Sequence, residues 1–374
     1  MDFSHTQERR MLQDSLRRFL AARYTTRARN AIGRDPRGFS DEIWAGLAEL
    51  GVVGALFEEA VGGFGGGGFD ILVVFEEIGR AGAVDPLVET AIMGGGLVAD
   101  LGTDEQKVMV AQIVAGTRQL AFAGLEPGGR YDLDHVETRA VRDGDGFVLT
   151  GRKAVVTNAP AADLLLASAR EGEGTDGIRL FLVEPGAAGL TMRDYGLVGG
   201  GRAAEITLEK TPAILLGDGT KAYEAIERRA AHAIVALCAE AVGLMETATG
   251  LTNDYLKTRK QFGQPIGKFQ ALQHRMADMA IALEQARSAA INAAGNLHRA
   301  RAIRERHMAA AKNLIGRAAR HIAEEAIQLH GGIAMTQEYE LAHIAKRLVM
   351  IDHRFGDADH HLARFVALSR ESAA

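Results

Sequence analysis

Apolar residues recur at helical spacing through the first third of the chain, and each run follows residues that commonly cap helices. Three amphipathic helices are therefore predicted before about Gln119. The first follows a Ser4–Gln7 capping box and carries Leu12, Leu16 and Phe19 on its apolar face. The second lies between the cap Ser40 and the stop Gly51 and carries Ile43, Leu47 and Leu50. The third follows a Thr103–Gln106 capping box and carries Val108, Val110 and Ile113.

The pattern changes near Gln119, where short runs rich in β-branched residues, separated by turn residues, replace the helical spacing. Residues 136–142 and 147–150 flank the turn Asp143–Gly146 and predict a β-hairpin. Further short strands are predicted at 153–157, 164–168, 178–183 and 204–208. Together these strands indicate a compact β domain that ends near Gly219.

Helical segments rich in Ala, Leu and Ile fill the chain after Lys221. Their periodicity predicts helices that end near Leu256 and then span 271–307, 308–329 and 340–369, packed as a bundle. The predicted domain boundaries are therefore 1–117 for the first helical domain, 118–219 for the β domain and 220–374 for the helical bundle.

A glycine-rich segment, Gly62–Gly68, contains a GxGxxG spacing at Gly63, Gly65 and Gly68. A dinucleotide site would place this spacing inside a βαβ unit, and no such unit surrounds it. A phosphate loop would continue with Gly-Lys-Ser/Thr, which does not follow. The segment is therefore predicted to be a flexible turn between helices.

Composition narrows the function classes. The chain has 374 residues, of which 43 are basic and 48 acidic, so its formal net charge is -5. These charges are spread out rather than clustered in basic runs, which argues against nucleic-acid binding. One cysteine, Cys238, excludes a disulfide framework and fits a reducing cytoplasm. Neither a signal peptide nor a membrane span is expected, because charged residues interrupt every long apolar run.

Two blocks near the C-terminus carry a family resemblance. The run Arg259–Ile266 (RKQFGQPI), followed by Phe269–Gln270 and Ala277–Met279, resembles a signature of the acyl-CoA dehydrogenase family of flavoproteins. Gln328–Gly332, continuing to Tyr339, resembles the other C-terminal signature of that family. The resemblance covers essentially the whole chain. It implies an α+β fold with an N-terminal α domain, a middle β barrel and a C-terminal four-helix bundle, and it implies FAD as the cofactor.

In that family these two blocks hold the ADP half of the FAD bound to the neighbouring subunit. The resemblance assigns Arg259 to the FAD phosphates, for which a guanidinium fork offers paired donors. At glycine positions the missing Cβ lets backbone N–H groups approach the pyrophosphate. The matching residues are Phe262 and Gln270 at the adenosine end, and Gln328, Gly331 and Gly332 at the pyrophosphate. Alternatively, Arg259 is a solvated charge at a helix end and the two glycines merely end a helix.

The residues that would complete the chain's own active site differ from the family pattern. In the family a glutamate removes the α proton of an acyl-CoA thioester, which requires a carboxylate that is ionised yet basic once desolvated. The two positions that carry this glutamate match Phe355 and Ala233 here, and neither residue can accept a proton. No catalytic residue is therefore predicted in this chain.

The flavin positions also differ. The loop Glu126–Asp132 resembles the family's flavin loop, and Thr157 matches the residue that binds flavin N5, although an ordinary strand threonine would look the same. Asp357 replaces a threonine, and its charge would repel an anionic cofactor. The other replacements are Leu125 and Tyr131 for hydroxyl residues, Val155 for a tryptophan that covers the flavin, and Ile234 for an arginine.

Other acidic residues could replace the missing base. The candidates are Glu126, Asp132, Asp352 and Asp357, none at a position that the family uses. A metal is a further alternative, because His353, Asp357, His360 and His361 have a spacing that could place ligands on one helix face. A polar C-terminal helix explains the same spacing, and no metal site is predicted.

The segment Phe355–Phe365 and the loop Glu126–Tyr131 resemble the small subunit of heteromeric, pimeloyl-CoA-type dehydrogenases. Heteromeric steroid side-chain dehydrogenases of actinobacteria share that plan. The leading hypothesis is a silent subunit of an α2β2 enzyme for α,β-desaturation of an acyl-CoA from fatty acid, dicarboxylic acid or steroid side-chain degradation. It implies a homologous partner with the glutamate and an electron-transfer flavoprotein or similar acceptor. A self-sufficient homo-oligomer with a displaced base, and a non-catalytic scaffold that binds acyl-CoA or a partner, remain alternatives.

Overall fold

A computed structural model describes residues 5–144 and 146–371. Helices form the first part of the chain, as the apolar spacing predicts. A π-helical segment, Val88–Gly95, runs directly into α5. The helices are α1 (Gln7–Arg23), α2 (Thr26–Ile32), α3 (Asp41–Glu49), α4 (Gly68–Ala81), α5 (Gly96–Leu101) and α6 (Asp104–Val114).

Seven strands form the middle part. They are β1 (Leu120–Ala123), β2 (Arg139–Asp143), β3 (Gly146–Thr157), β4 (Leu164–Arg170), β5 (Ile178–Val183), β6 (Leu190–Gly196) and β7 (Arg202–Leu215). They pair in the order β1–β4–β2–β3–β7–β5, with β6 also paired to β7. Because β5 pairs back onto β4, strands β4, β2, β3, β7 and β5 close into a barrel, while β1 and β6 are added at β4 and β7.

The last part is helical except for a hairpin whose two strands have two residues each. Its elements are α7 (Ala222–Thr258), β8 (Lys260–Gln261), β9 (Gln264–Pro265), α8 (Gln270–Asn296), α9 (Arg301–His330), α10 (Glu340–Asp352) and α11 (Ala358–Glu371). Helices α7 to α10 pack as a bundle, and α11 lies on α9. The predicted α+β fold of helical domain, β barrel and helical bundle is thus confirmed, while the residue boundaries 1–117, 118–219 and 220–374 stay predictions.

Helix α7 forms the core of this bundle. It is long and apolar enough to cross a membrane, judged by length and composition alone. However, 72% of its most apolar 18-residue window is buried inside the fold. Its apolar character therefore reflects packing on all sides, as in the core helix of a folded domain.

Two predicted helix boundaries are wrong. The break that was predicted at 307/308 falls at 297–300, because the apolar spacing continues on both sides of the turn and does not mark it. The segment predicted as one helix at 340–369 is two helices, α10 and α11. Phe355 and Gly356 separate them, since their φ values of 53° and 105° cannot continue a right-handed helix.

The capping predictions have mixed outcomes. Ser40 and Thr103 cap α3 and α6 as predicted. The predicted Ser4–Gln7 capping box is wrong as the start of α1, because the Thr6 hydroxyl accepts from Arg9 N at 3.4 Å instead. Ser4 itself lies outside the described residues.

The glycine segment and several strands differ from the predictions. Gly62–Gly68 is a turn, but it is packed rather than loose: a Cβ on Gly63 would lie 2.1 Å from the Phe57 carbonyl oxygen. The runs 153–157 and 204–208 belong to the longer strands β3 and β7, and β1 and β6 were not predicted. β6 is mostly exposed, so it carries no clear apolar alternation.

A buried ion pair ties the barrel to the loop that was predicted as a flavin loop. Lys153 Nζ on β3 donates to Glu126 Oε1 at 2.6 Å and to Ser168 Oγ at 3.0 Å. The Glu126 carboxylate also accepts from the backbone N–H groups of Glu137 and Thr138. Both charged side chains are almost fully buried, at 0% and 2% exposure. Glu126 is therefore a structural residue, not a free base.

Lys153→Met should destabilise the fold strongly. Removing one partner of a buried ion pair leaves the other charge uncompensated, which costs about 3–5 kcal/mol. The free energy of unfolding in urea should fall by that amount. Glu42→Gln is the control, because this glutamate is 74% exposed and its ion pair contributes only about 0–1 kcal/mol. Equal effects of the two substitutions would contradict the structural role of Lys153.

Candidate functional site

A cavity lies where the barrel, the π-helical segment, α7 and residues 353–364 meet. We call it the first cavity. An apolar wall with a few convergent polar groups is typical of a small-molecule site. The apolar wall residues are Val88, Met93, Phe122, Leu125, Leu133, Ala230, Ala231, Ile234 and Phe355.

The structure places both predicted base positions at this cavity. Phe355 lies in its wall, and Ala233 is fully buried beside the wall residue Ile234. The Phe355 backbone has φ 53°, a left-handed conformation that costs a residue with a Cβ about 1–2 kcal/mol. Such a conformation persists only where its surroundings hold it.

Three side-chain donors hold the Phe355 turn. Lys312 Nζ donates to the carbonyl oxygens of Ile351, Asp352 and Gly356 at 3.1, 2.9 and 2.8 Å. Asn313 Nδ2 donates to the Ala358 carbonyl at 2.8 Å. His361 Nε2 donates to the Phe355 carbonyl at 2.8 Å. The turn is thus fixed from the α9 and α11 sides, although its side chain cannot act as a base.

Burial lowers the pKa of His361 to about 3, and the positive charge of Lys312 adds to this effect. The imidazole is therefore neutral near pH 7. With Nε2–H bound to the Phe355 carbonyl, the remaining acceptor is Nδ1, which has no hydrogen-bond partner within the described residues. His361 acts here as a neutral donor that positions a turn.

None of the four suggested replacement acids is in the wall of the first cavity. Glu126 is in the buried ion pair with Lys153, and Asp132 is exposed. Asp352 lies 4.0 Å from Lys312 Nζ, and burial raises its pKa. Asp357 caps α11 by accepting from His360 N at 2.8 Å, and this hydrogen bond lowers its pKa.

The carboxylates that do line the cavity were not predicted. They are Glu89, Glu227 and Glu305. Glu89 pairs with Arg354. Arg364 binds Glu227 at 3.1 Å and Glu305 at 2.7 Å, and Arg301 binds Glu227 at 2.5 Å. A carboxylate held by a guanidinium is strongly hydrogen-bonded, so these three are not free bases. The only feature of the sequence that could have indicated one of these carboxylates is that Glu89 interrupts an apolar helical run.

The residues predicted at the flavin positions come together in the same wall: Leu125, Tyr131, Val155 and Thr157. The Tyr131 hydroxyl lies 3.4 Å from His353 Nδ1, and its ring packs edge-on to His360 at 5.4 Å between centroids. Val155 is 47% exposed and has φ 49°, which is unusual for a β-branched residue. Thr157 is half-buried beside it.

The suggested histidine–aspartate metal cluster does not form in the part of the chain that the structure describes. No group of three or more His, Cys, Asp or Glu side chains there could hold a metal ion. The helix that would carry them begins only at Ala358, so His353 is on the preceding turn. Asp357 and His361 instead bind backbone groups, as described above.

The residues predicted to contact FAD from a neighbouring subunit lie on a separate surface. Arg259, Phe262, Gln270, Gln328, Gly331 and Gly332 are all exposed. Phe262 is 90% exposed with φ 51°, at the tip of the β8–β9 hairpin. A Cβ on Gly331 or Gly332 would meet nothing within 4 Å. In the described chain, the side chains of Arg259, Gln270 and Gln328 form no hydrogen bond or ion pair.

An aromatic stack joins the two halves of this surface. Tyr255, one turn before Arg259, stacks on His330 with ring centroids 4.5 Å apart. His330 Nε2 also contacts the Tyr339 hydroxyl at 3.1 Å. Since Gly331 follows His330 directly, the stack brings the end of α7 beside the end of α9. The two sequence blocks therefore form one patch, which we call the distal patch.

The comparisons agree with this architecture. The family models for the acyl-CoA dehydrogenase N-terminal, middle and C-terminal domains match residues 6–116, 121–210 and 223–358. The probable acyl-CoA dehydrogenase YngJ of Bacillus subtilis (strain 168) is 31% identical over 379 residues, covering 98% of each chain. The Tcur3481-Tcur3483 steroid ACAD has a TM-score of 0.88 and 32% identity, over 98% of this chain and 99% of that one. The FAD complex of PigA has a TM-score of 0.90 and 25% identity, over 100% and 99%.

The helical domain, the β barrel and the helical bundle around this cavity correspond to the three matched domains of a family of flavin-dependent oxidoreductases. The chain belongs to the acyl-CoA dehydrogenase family. The predicted family, fold and cofactor FAD are thereby confirmed, as is oxidation of acyl-CoA at the level of the family. The roles of the individual site residues stay predictions.

His361→Gln should make the fold less sensitive to acid. The pKa of His361 is about 3 in the folded state and about 6.5 in the unfolded state, so the unfolded chain binds the extra proton between these values. The free energy of unfolding therefore falls as pH drops through this window, by at most about 1.4 kcal/mol per pH unit. Glutamine keeps a donor for the Phe355 carbonyl but cannot titrate there, so its loss should be smaller.

Urea unfolding at several pH values measures this difference. His232→Gln is a matched second case, because burial also lowers the pKa of His232 to about 3, at a different place in the fold. Each substitution should reduce the pH slope on its own. A slope unchanged by both would contradict the neutral, buried state of these imidazoles.

Proposed function

We propose that this chain is the silent subunit of a heteromeric, cytoplasmic acyl-CoA dehydrogenase. Its distal patch lends Arg259, Phe262, Gln270, Gln328, Gly331 and Gly332 to FAD held by a homologous partner chain. That partner supplies the glutamate for α,β-desaturation of an acyl-CoA thioester. FAD, when bound, accepts the hydride, and an electron-transfer flavoprotein or a similar acceptor then reoxidises it.

The observation that carries this proposal is the distance between the chain's two surfaces. Ile234 in the first cavity lies on α7, and Arg259 in the distal patch caps the C-terminus of the same helix, roughly 25 residues further along the chain. At a rise of 1.5 Å per residue this separation is roughly 38 Å. This separation supports a distal patch that serves a cofactor bound to another subunit rather than one held in the first cavity of the same chain.

The state of the distal patch supports the same role. Its polar groups are exposed and unpaired within the described chain, and backbone approach at Gly331 and Gly332 is open. Phe262, Ile333 and Met335 add apolar area that is 90%, 45% and 68% exposed. Apolar residues next to unpaired cationic and amide groups suit an interface that also holds an anionic cofactor.

The lining of the first cavity supports the proposal that this chain is the silent subunit. Its wall has phenylalanine at the base position, and its carboxylates are bound to arginines. Tyr131 and Val155 stand where a flavin would need a hydroxyl and a covering ring. A relative named for two chains, the Tcur3481-Tcur3483 steroid ACAD, supports a heteromeric assembly.

Glu89 favours one alternative, a self-sufficient enzyme with a displaced base. It lines the first cavity and is held by a single arginine, Arg354. The isolated chain separates the two proposals. A self-sufficient enzyme would turn over acyl-CoA alone, whereas a silent subunit would need its partner.

Phe355→Glu should not create an efficient enzyme. The substitution restores a carboxylate at the family position, but Tyr131 and Val155 still oppose flavin in the same cavity. Both the isolated wild type and the variant should show little oxidation of acyl-CoA with an artificial electron acceptor. Bound flavin measured in the same samples is the control, and robust turnover by the variant would show that the chain's own flavin site is intact.

Arg259→Ala should remove FAD from the heteromeric complex while the fold stays intact. A charged hydrogen bond contributes about 1.5–3 kcal/mol, so affinity for FAD should fall roughly tenfold to a hundredfold. Arg259→Lys should restore only part of this affinity, because a point charge cannot reproduce the bidentate fork. Flavin absorbance per complex, with circular dichroism for the fold, measures both effects.

Lys260→Ala is the matched control, because Lys260 is the neighbouring exposed cation on the same hairpin. It should leave FAD content nearly unchanged. Substitution of the partner's equivalent arginine should also have a small effect, since that residue would face the first cavity of this chain. Equal loss of FAD from both arginine variants would show two working sites and end the case for a silent subunit.

A further inference from the structure

A pocket that none of the roles above uses lies between α2, α10 and the loop that joins β6 to β7. Its wall contains Arg29 and Arg34 from α2 and the turn after it, and His343, Lys346 and Arg347 from α10. We call it the cationic pocket. Within the described chain it shares no lining residue with the first cavity, and none of the six distal-patch residues is in its wall. It is therefore a separate place in the fold.

Positive charge dominates the wall of the cationic pocket. Four arginine and lysine side chains line it, and no aspartate or glutamate among residues 5–144 and 146–371 is in it. Arg347 has a carboxylate partner, Glu240, which lies outside this wall. The side chains of Arg34 and Lys346 form no ion pair or hydrogen bond within the described residues. These two cations are therefore free to bind an anion that enters the pocket.

Arg29 is buried in the same wall, at 5% exposure. Its Nη2 donates to the Ala81 carbonyl and lies 3.5 Å from Glu340 Oε1, and its guanidinium lies 5.7 Å from the centre of the Tyr24 ring. Nε and Nη1, which carry the remaining donors of this edge, have no acceptor among the described residues. Buried donors in folded proteins are nearly always satisfied, so these groups favour an acceptor placed in the pocket.

The loop between β6 and β7 forms a neutral side of the pocket. Arg347 fixes this loop by donating to the Gly199 carbonyl at 3.1 Å. Gly200 has φ 91°, and a Cβ there would lie 2.6 Å from Val84 Cγ1, so the loop packs closely on the residues after α4. The backbone N–H groups of Gly199 and Gly201 donate to no acceptor in the described chain. Free N–H groups in such loops are a common part of anion sites.

A phosphate dianion matches the wall in charge and in shape. Four cations, less the carboxylates of Glu240 and Glu340, leave two uncompensated positive charges at the pocket. Phosphate oxygens accept hydrogen bonds from several directions, whereas a carboxylate has two oxygens in one plane. A guanidinium binds phosphate through paired donors, and an ammonium binds it as a point charge. Arg29 and Lys346 offer one group of each kind.

We propose that the cationic pocket binds a phosphate dianion, either as the free ion or as the head of a small phosphate monoester. Arg29, Arg34 and Lys346 are its ligands. This site goes beyond the proposed function and does not depend on it, because it involves neither the first cavity nor the distal patch. Binding makes and breaks no covalent bond.

Isothermal titration calorimetry of the purified full-length chain tests this proposal with two probes, inorganic phosphate and glycerol phosphate. Neither probe contains adenine, for which the distal patch is suited. The titrations are made at about pH 8, where both probes are mainly dianions. Saturable binding of at least one probe is expected, and chloride at the same ionic strength should produce none. Tighter binding of inorganic phosphate would identify a free ion as the ligand, and tighter binding of glycerol phosphate would identify a monoester.

Arg34→Ala combined with Lys346→Ala should weaken this binding roughly tenfold to a hundredfold, because two charge-assisted contacts are lost. Both side chains reach solvent, so the double variant should fold. Arg29→Gln should weaken binding by a similar factor, and the double variant decides if Arg29→Gln does not fold. Arg27→Ala is the matched control and should bind as wild type, because Arg27 is exposed on α2 but is not in the wall of the pocket.

Arg259→Ala separates this site from the distal patch. It should leave phosphate binding unchanged, and the Arg34/Lys346 double variant should leave the FAD content of the heteromeric complex unchanged. Failure of one proposal is thus distinguishable from failure of the other. The cationic pocket is excluded as a phosphate site if the wild type shows no saturable binding or responds equally to chloride. It is also excluded if the double variant binds like the wild type, or if Arg259→Ala alone removes the binding.

Discussion

The close approach of α4 and α7 is the contact on which the first cavity and the distal patch depend. Each helix presents a glycine to the backbone of the other. A Cβ on Gly79 would lie 2.0 Å from the Glu240 carbonyl oxygen, and a Cβ on Gly243 would lie 2.0 Å from the Glu76 carbonyl oxygen. No side chain fits at either position without separating the helices. Because α7 forms a wall of the first cavity and ends at Arg259, its position fixes both sites.

Much of the architecture could be predicted because it follows from local chemistry. Ser40 and Thr103 indicate helices through side-chain oxygens that accept backbone N–H groups, and β5 is a run of apolar residues that are buried except at Arg179. The distal patch was also predictable, because its six residues fall in two short blocks. The two blocks were predicted from their resemblance to family signatures, whereas their meeting through Tyr255 and His330 is a tertiary contact that was not predicted.

The polar interior of the first cavity could not be predicted in the same way. Glu89 comes from the π-helical segment and Glu227 from α7, and nothing in their local sequence shows that they face a common space. Whether these carboxylates can act as bases depends on which arginines bind them. Glu126 illustrates the reverse case: it seemed free in a loop, yet Lys153 and two backbone N–H groups hold it inside the barrel. Tertiary partners decide whether an acid is a base or an ion-pair member.

Two residues that line the first cavity have a strained backbone conformation. Phe355 and Val155 both have left-handed φ values, at 53° and 49°, and neither residue prefers them. Lys312, Asn313 and His361 hold the Phe355 turn through hydrogen bonds to carbonyl oxygens. A fold that had acquired a new base would be expected to rebuild this turn around it. A turn held in its strained shape without a carboxylate fits a subunit whose frame is required for assembly while its chemistry belongs to the partner.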